Sequence, residues 1–228
     1  MTNPACAQQG APAGFQPRNH YEELMERPKP IPEIPPHLRH IVAADGPDRL
    51  VVTGLAGQLI EVDIEWSEPE EWHLLADGRY LGFVVGGYET HGYTLVDRAA
   101  TGGGEVMDTG VEPTFSPTGR WFAAAQMSDP GWGNMEGVAV WEVLPDRTAL
   151  RMMTSAVPYG SDWRVDRWAT ERCAVITTIP GGVEMQPDET YEAWLARAPR
   201  QTYLLEVTDD GALLYMQASL GGCAPAEE

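Results

Sequence analysis

From Ile41 onward, apolar and polar positions alternate in short runs, and each run is closed by glycine, proline or aspartate. A period of two puts alternate side chains on opposite faces, so these runs predict half-buried strands rather than helices. The first unit reads as three strands, Ile41–Ala44, Arg49–Thr53 and Gln58–Asp63, parted by turns at Asp45–Asp48 and Gly54–Gly57. An acidic loop over Glu65–Glu71 follows. The second unit comprises His73–Leu75, Tyr80–Val85, Gly92–Asp97 and Glu105–Asp108, with a turn at Ala76–Arg79. In the third, a strand ending at Phe115 turns at Ser116–Gly119 into Arg120–Gln126, and a Gly-rich loop leads to Val138–Val143. The fourth contains Trp163–Ala169, Cys173–Ile179, Gln201–Val207 and Ala212–Gln217. Its hairpin is interrupted at Gly181–Pro199, where Asp188 is placed to cap a short helix reaching Ala198.

The units repeat. Gly78 and Gly119 lie 41 positions apart (119 − 78), and Arg79, Arg120 and Arg172 follow one another at steps of 41 and 52. A four-stranded unit recurring every ~40 residues has the length of a propeller blade. The corner at Ser116-Pro117-Thr118-Gly119 has a physical basis: proline presets φ at the second position, and glycine tolerates a positive φ at the fourth.

The stretch Phe115-Ser-Pro-Thr-Gly-Arg-Trp-Phe-Ala123 resembles the Phe-Ser-Pro-Asp-Gly core of bacterial TolB-like and WD40-like propeller repeats. Thr118 stands where that repeat usually carries Asp or Asn. The resemblance covers one blade clearly and a second fairly. It implies an all-β fold, a small (about four-bladed) or incomplete β-propeller of short antiparallel sheets. The three-stranded first unit could then gain an outer strand from the opposite terminus. An open stack of curved sheets or a β-sandwich is the alternative. Activity is not implied, because such repeats serve in scaffolds, transport machinery and peptidase lids.

Residues 1–38 lack the alternation and form an extended Pro-rich arm. Pro28, Pro30, Pro32, Pro35 and Pro36 impose a polyproline-like path. Such an arm must lie against another surface, and Ile31 and Ile34 are its candidate anchors. The propeller-like domain is expected over 39–220, followed by a flexible acidic tail at 221–228.

Charge narrows the partners. Thirty-four acidic against 15 basic residues give a formal net charge of −19, a field that repels nucleic acid and anionic membranes. A basic partner protein or a cation is compatible with it. No run reaches the ~18 apolar residues that a spanning helix needs. Cys6, Cys173 and Cys223 are too few and too scattered for a disulfide framework or a zinc site, although one bridge could tie down a chain end. The opening Asn-Pro-Ala-Cys-Ala-Gln resembles a cleaved mature terminus, so a periplasmic or secreted protein is expected, with the cytoplasm as the alternative.

Candidate chemistry is sparse. There is no Gly-x-Ser-x-Gly elbow and no phosphate-cradling glycine motif before a helix. Asp129, Asn134 and Glu136 on the Gly-rich loop are candidate calcium ligands, though their spacing matches no strict calcium motif. Trp66, Trp132 and Trp194 lie on loops or inserts and are candidate contact residues, whereas Trp121, Trp141, Trp163 and Trp168 fall within strands and are expected in the core. The reading favoured by the arm and long loops is a non-enzymatic accessory or scaffold subunit that binds another protein, with no resident cofactor. A hydrolase acting on carbohydrate or another substrate through a carboxylate pair, and a calcium-dependent binding module, are the alternatives.

Overall fold

The computed structural model describes residues 29–64, 67–87, 90–101, 104–127 and 133–216. The chain divides into two units, Met1–Pro30 and Ile31–Glu228. All but two of the described elements are strands, arranged in four antiparallel sheets that follow one another along the chain.

The first sheet contains β1 (Val42–Ala44), β2 (Arg49–Thr53) and β3 (Leu59–Asp63) in that order. The second is a meander of β4 (Glu68–Leu75), β5 (Tyr80–Gly87), β6 (Thr90–Asp97) and β7 (Glu105–Asp108). β8 (Thr114–Phe115), β9 (Trp121–Gln126), β10 (Gly137–Leu144) and β11 (Arg147–Thr154) make the third. The fourth is built from β12 (Gly160–Thr170), β13 (Cys173–Pro180), β14 (Gln201–Thr208) and β15 (Gly211–Met216).

Alternation along each strand supplies both faces of the inner sheets. On β5, Leu81, Phe83 and Val85 pack with Leu50, Val52, Ile60 and Val62 of the first sheet, while Tyr80 turns the other way, toward Phe122 of the third. On β9, Phe122 and Ala124 face the second sheet, and Trp121, Ala123 and Ala125 join Ile176, Tyr203 and Leu205 of the fourth. The sheets therefore stack face to face in chain order. Ala123, Ala124 and Ala125 are all fully buried; their small side chains leave room for aromatic rings from neighbouring strands. On the Ala124 side Tyr80, Phe115, Phe122 and Trp141 form the layer, the last two stacked with centroids 5.0 Å apart, while Trp163 and Tyr203 lie on the side of Ala123 and Ala125.

The corner arginines recur as structure. Arg79, before β5, donates to Asp97 at 3.0 and 2.7 Å, and Arg120, before β9, donates to Glu142 at 2.9 Å. In both sheets the carboxylate sits opposite the first residue of the second strand, Tyr80 or Trp121. In the fourth sheet Arg172 holds the equivalent place but pairs with Asp209 at 2.8 Å.

Several boundaries differ from the pattern. Ile34 and Leu38 are buried in the first hydrophobic cluster, so the Pro-rich stretch contributes core from Ile34 onward. The acidic segment expected as a loop is strand from Glu68, and β11 is a strand whose sequence lacks regular apolar–polar alternation. The helix α1 spans Tyr191–Arg197 and starts at Thr190, not Asp188, since the Thr190 hydroxyl accepts from the Ala193 amide. Cys173 is disulfide-bonded, with its partner outside the described residues.

Candidate functional site

Between the second and third sheets lies a cleft of about 320 Å³ lined by Glu71, His73, Tyr93, Glu112 and Gln126, with His91, Val84 and Val111 alongside. Its shape begins in β4. The β4–β5 register slips between Glu70 and His73, and Glu71 takes up the bulge with φ 46°, a conformation that costs a non-glycine residue about 1–3 kcal/mol. Trp72 then turns onto Phe83, centroids 4.8 Å apart. His73 is left half-exposed in the cleft.

From β6, Tyr93 reaches back across the sheet. Its ring lies over Gly82, where any Cβ would collide with it, and its hydroxyl stands 3.5 Å from His73 Nδ1. The same nitrogen meets Glu112 Oε2 at 2.5 Å. Burial, and then the Glu112 carboxylate, push the Tyr93 hydroxyl far above its ordinary value, so it remains a protonated donor at any physiological pH. The Gln126 side-chain amide packs over Gly110 between the carbonyl oxygens of Met135 and Gly110, and turning its nitrogen toward them lets it donate to both, at 3.2 and 3.3 Å.

The rim is fixed by the Gly-rich loop. Gly133 pairs with His91, and the Asn134 amide donates to the His91 carbonyl at 3.2 Å. Asn134 Nδ2 donates to Asp108 Oδ1 (3.1 Å) and to the Tyr93 carbonyl (3.3 Å). Asn134 thus presents its nitrogen, not its oxygen, to the nearby carboxylate. Asp129 and Trp132 lie outside the described residues, as does Trp66. Among the described residues no group of three or more His, Cys, Asp or Glu is placed to hold a metal.

The other singled-out residues are scattered. Ile31 is 66% exposed and Ile34 buried. Trp194 is 7% exposed and packs with Ile179 and Ala198, so the insert turns its tryptophan inward. Of the strand tryptophans, Trp121, Trp141 and Trp163 are buried. The cleft residues carried no sequence signal beyond ordinary strand alternation. Gly82 and Gly110 were the available hints, because each makes room for a large side chain from a neighbouring element.

Chemically, the cleft offers two carboxylates, two imidazoles, a phenol donor and two aliphatic walls, with no lysine or arginine in its lining. A second hollow, of about 390 Å³, runs between β11 and β15 and includes Met152, Pro158, Leu213, Tyr215 and Met216. No known family model matches this chain, and no curated protein matches it. No helix among the described residues is long and apolar enough to cross a membrane.

Proposed function

We propose that this chain is a non-enzymatic accessory subunit, a small propeller whose perimeter holds an extended segment of another protein. The carrying observation is the edge formed by β11 and β15. These are the last strands of the third and fourth sheets, and among the described residues no further strand pairs with either. Leu150, Met153, Leu213 and Met216 are each at least half exposed along them. Free strand edges accept added strands, and contiguous exposed apolar side chains mark contact surfaces. The strongly acidic chain favours a basic partner.

The propeller reading is supported by the face-to-face order of the sheets and by the recurring corner arginine with its facing carboxylate. A disulfide at Cys173 favours an oxidising compartment, and so an exported protein.

The test is affinity capture from the native source with the full chain, compared with a Leu213→Glu, Met216→Glu variant. Two charges on the edge should abolish co-purification of the partner while the melting temperature stays within a degree or two. A folded double variant that still captures the same partner overturns the reading. Removing residues 1–30, which leaves Ile34 and Leu38 in place, separates a contribution of the arm from that of the edge.

A further inference from the structure

We infer that the cleft between the second and third sheets is a binding site for a primary alkylammonium group, a ligand class independent of the perimeter edge.

The cavity volume, about 320 Å³, lies at the small end of ligand pockets and suits a short chain bearing one charged head. The sign of that charge follows from the lining. Glu71 and Glu112 contribute carboxylates, no lysine or arginine answers them within the lining, and the chain as a whole carries −19. Glu71 makes no ion pair with any described residue. The strained bulge of β4 holds it at this position. His73 offsets part of the Glu112 charge, but Glu71 is left to repel an anion and to attract a cation. A metal ion needs three or more converging ligands, and none converge among the described residues.

The choice between ammonium and guanidinium rests on Glu112. A guanidinium is recognised best by a carboxylate that offers both oxygens to its fork. Here Oε2 is already engaged by His73 at 2.5 Å. An ammonium is a point charge that needs a single oxygen and can turn its remaining protons elsewhere, toward Glu71 or the Gln126 carbonyl. The walls match an alkyl stem, since Val84 and Val111 are aliphatic. His73 serves as a positioning residue that fixes the Glu112 carboxylate, and Tyr93, reaching it over Gly82, closes the floor.

An alkylammonium has two natural sources, a free small amine and a lysine side chain presented by a partner. The experiment uses the intact chain and follows backbone amide shifts by NMR during separate titrations. The probes are n-butylamine, n-butylguanidine, n-butanol and the blocked tripeptide Ala-Lys-Ala. Saturable shifts confined to β4, β6 and the Gly110–Glu112 segment are expected with the amine or the lysine peptide, and not with butanol. Response to the amine identifies a small-molecule site, and response to the peptide alone identifies a lysine pocket. Glu112→Gln should weaken the response about tenfold, the size of one charge-assisted hydrogen bond. Glu71→Gln, at an exposed position, provides a second reading if the first variant is unstable. No saturable shift with either ammonium probe, binding of n-butylguanidine as tight as n-butylamine, or affinity unchanged in both Gln variants overturns the assignment.

Discussion

Glu171, at the turn between β12 and β13, clasps Thr118 in the corner of the neighbouring sheet. Its carboxylate accepts from the Thr118 amide at 3.0 Å and from the Thr118 hydroxyl at 2.6 Å, with the Ser116 hydroxyl at 2.8 Å as a third donor. A hydroxyl suits this position, because Asp would set a second carboxylate against Glu171. Thr118→Asp should therefore destabilise the protein, and Glu171→Ala should cost about 0.5–1.5 kcal/mol, since Thr118 is exposed and water replaces part of what its donors lose. Urea unfolding checks both; an unchanged midpoint for Thr118→Asp refutes the like-charge argument.

Acid should unfold the protein partly through two carboxylates. Burial alone would raise the Glu142 carboxyl, but the hydrogen bonds from Arg151 and Arg120 outweigh it and hold the carboxyl below its ordinary value. Glu171 behaves likewise, its burial outweighed by the Thr118 and Ser116 donors. A carboxyl depressed in the folded state takes up protons more readily when unfolded. Its contribution is therefore present above the ordinary carboxylate value of about 4.3 and is lost as pH falls through the folded value. Urea midpoints should hold from pH 7 to about 5 and then decline. Glu142→Gln should start lower and decline less; an identical slope counts against the assignment.

The aromatic layer between the second and third sheets should be the most sensitive part of the core. Phe122 is fully buried and touches Tyr80, Phe115 and Trp141, with centroids 5.0 to 5.6 Å away. Phe122→Ala should cost about 3–5 kcal/mol, since rigid neighbouring sheets cannot collapse into the void. Leu150→Ala, on the exposed edge, should change stability by less than about 0.5 kcal/mol. Calorimetry of the pair measures the contrast, and comparable losses would mean that the layer is not rigid.

Gly82 should prove specific to Tyr93. An added methyl meets the Tyr93 ring, so Gly82→Ala should destabilise by about 1–3 kcal/mol, the usual cost of overpacking. Combining it with Tyr93→Ala should remove most of that penalty, giving a coupling energy in a double-mutant cycle. Strict additivity would place the strain elsewhere.

Reduction should weaken the fourth sheet. Cys173 is buried at the start of β13 and disulfide-bonded, and loss of such a bridge typically costs about 2–4 kcal/mol. A reductant should lower the melting temperature of the wild-type chain but not that of Cys173→Ala. Equal shifts in both proteins would trace the effect to something other than this bond.

The chain's own alternation determined the strands, because a period of two leaves only one way to bury Leu81, Phe83 and Val85 together. The corner chemistry at Ser116–Gly119 likewise fixed a turn, and Gly119 adopts φ 72° there. Partnerships across sheets had no such local trace. Glu171 meets Thr118 across 53 positions and His73 meets Glu112 across 39, and no pattern within a window of ten residues encodes either. Trp194 lies in an insert that the sequence pattern places at the surface, and α1 folding back onto Ile179 buries it. Local sequence sets which face of a strand is apolar, whereas only the stacking of the sheets decides which polar side chains are drawn into one cleft.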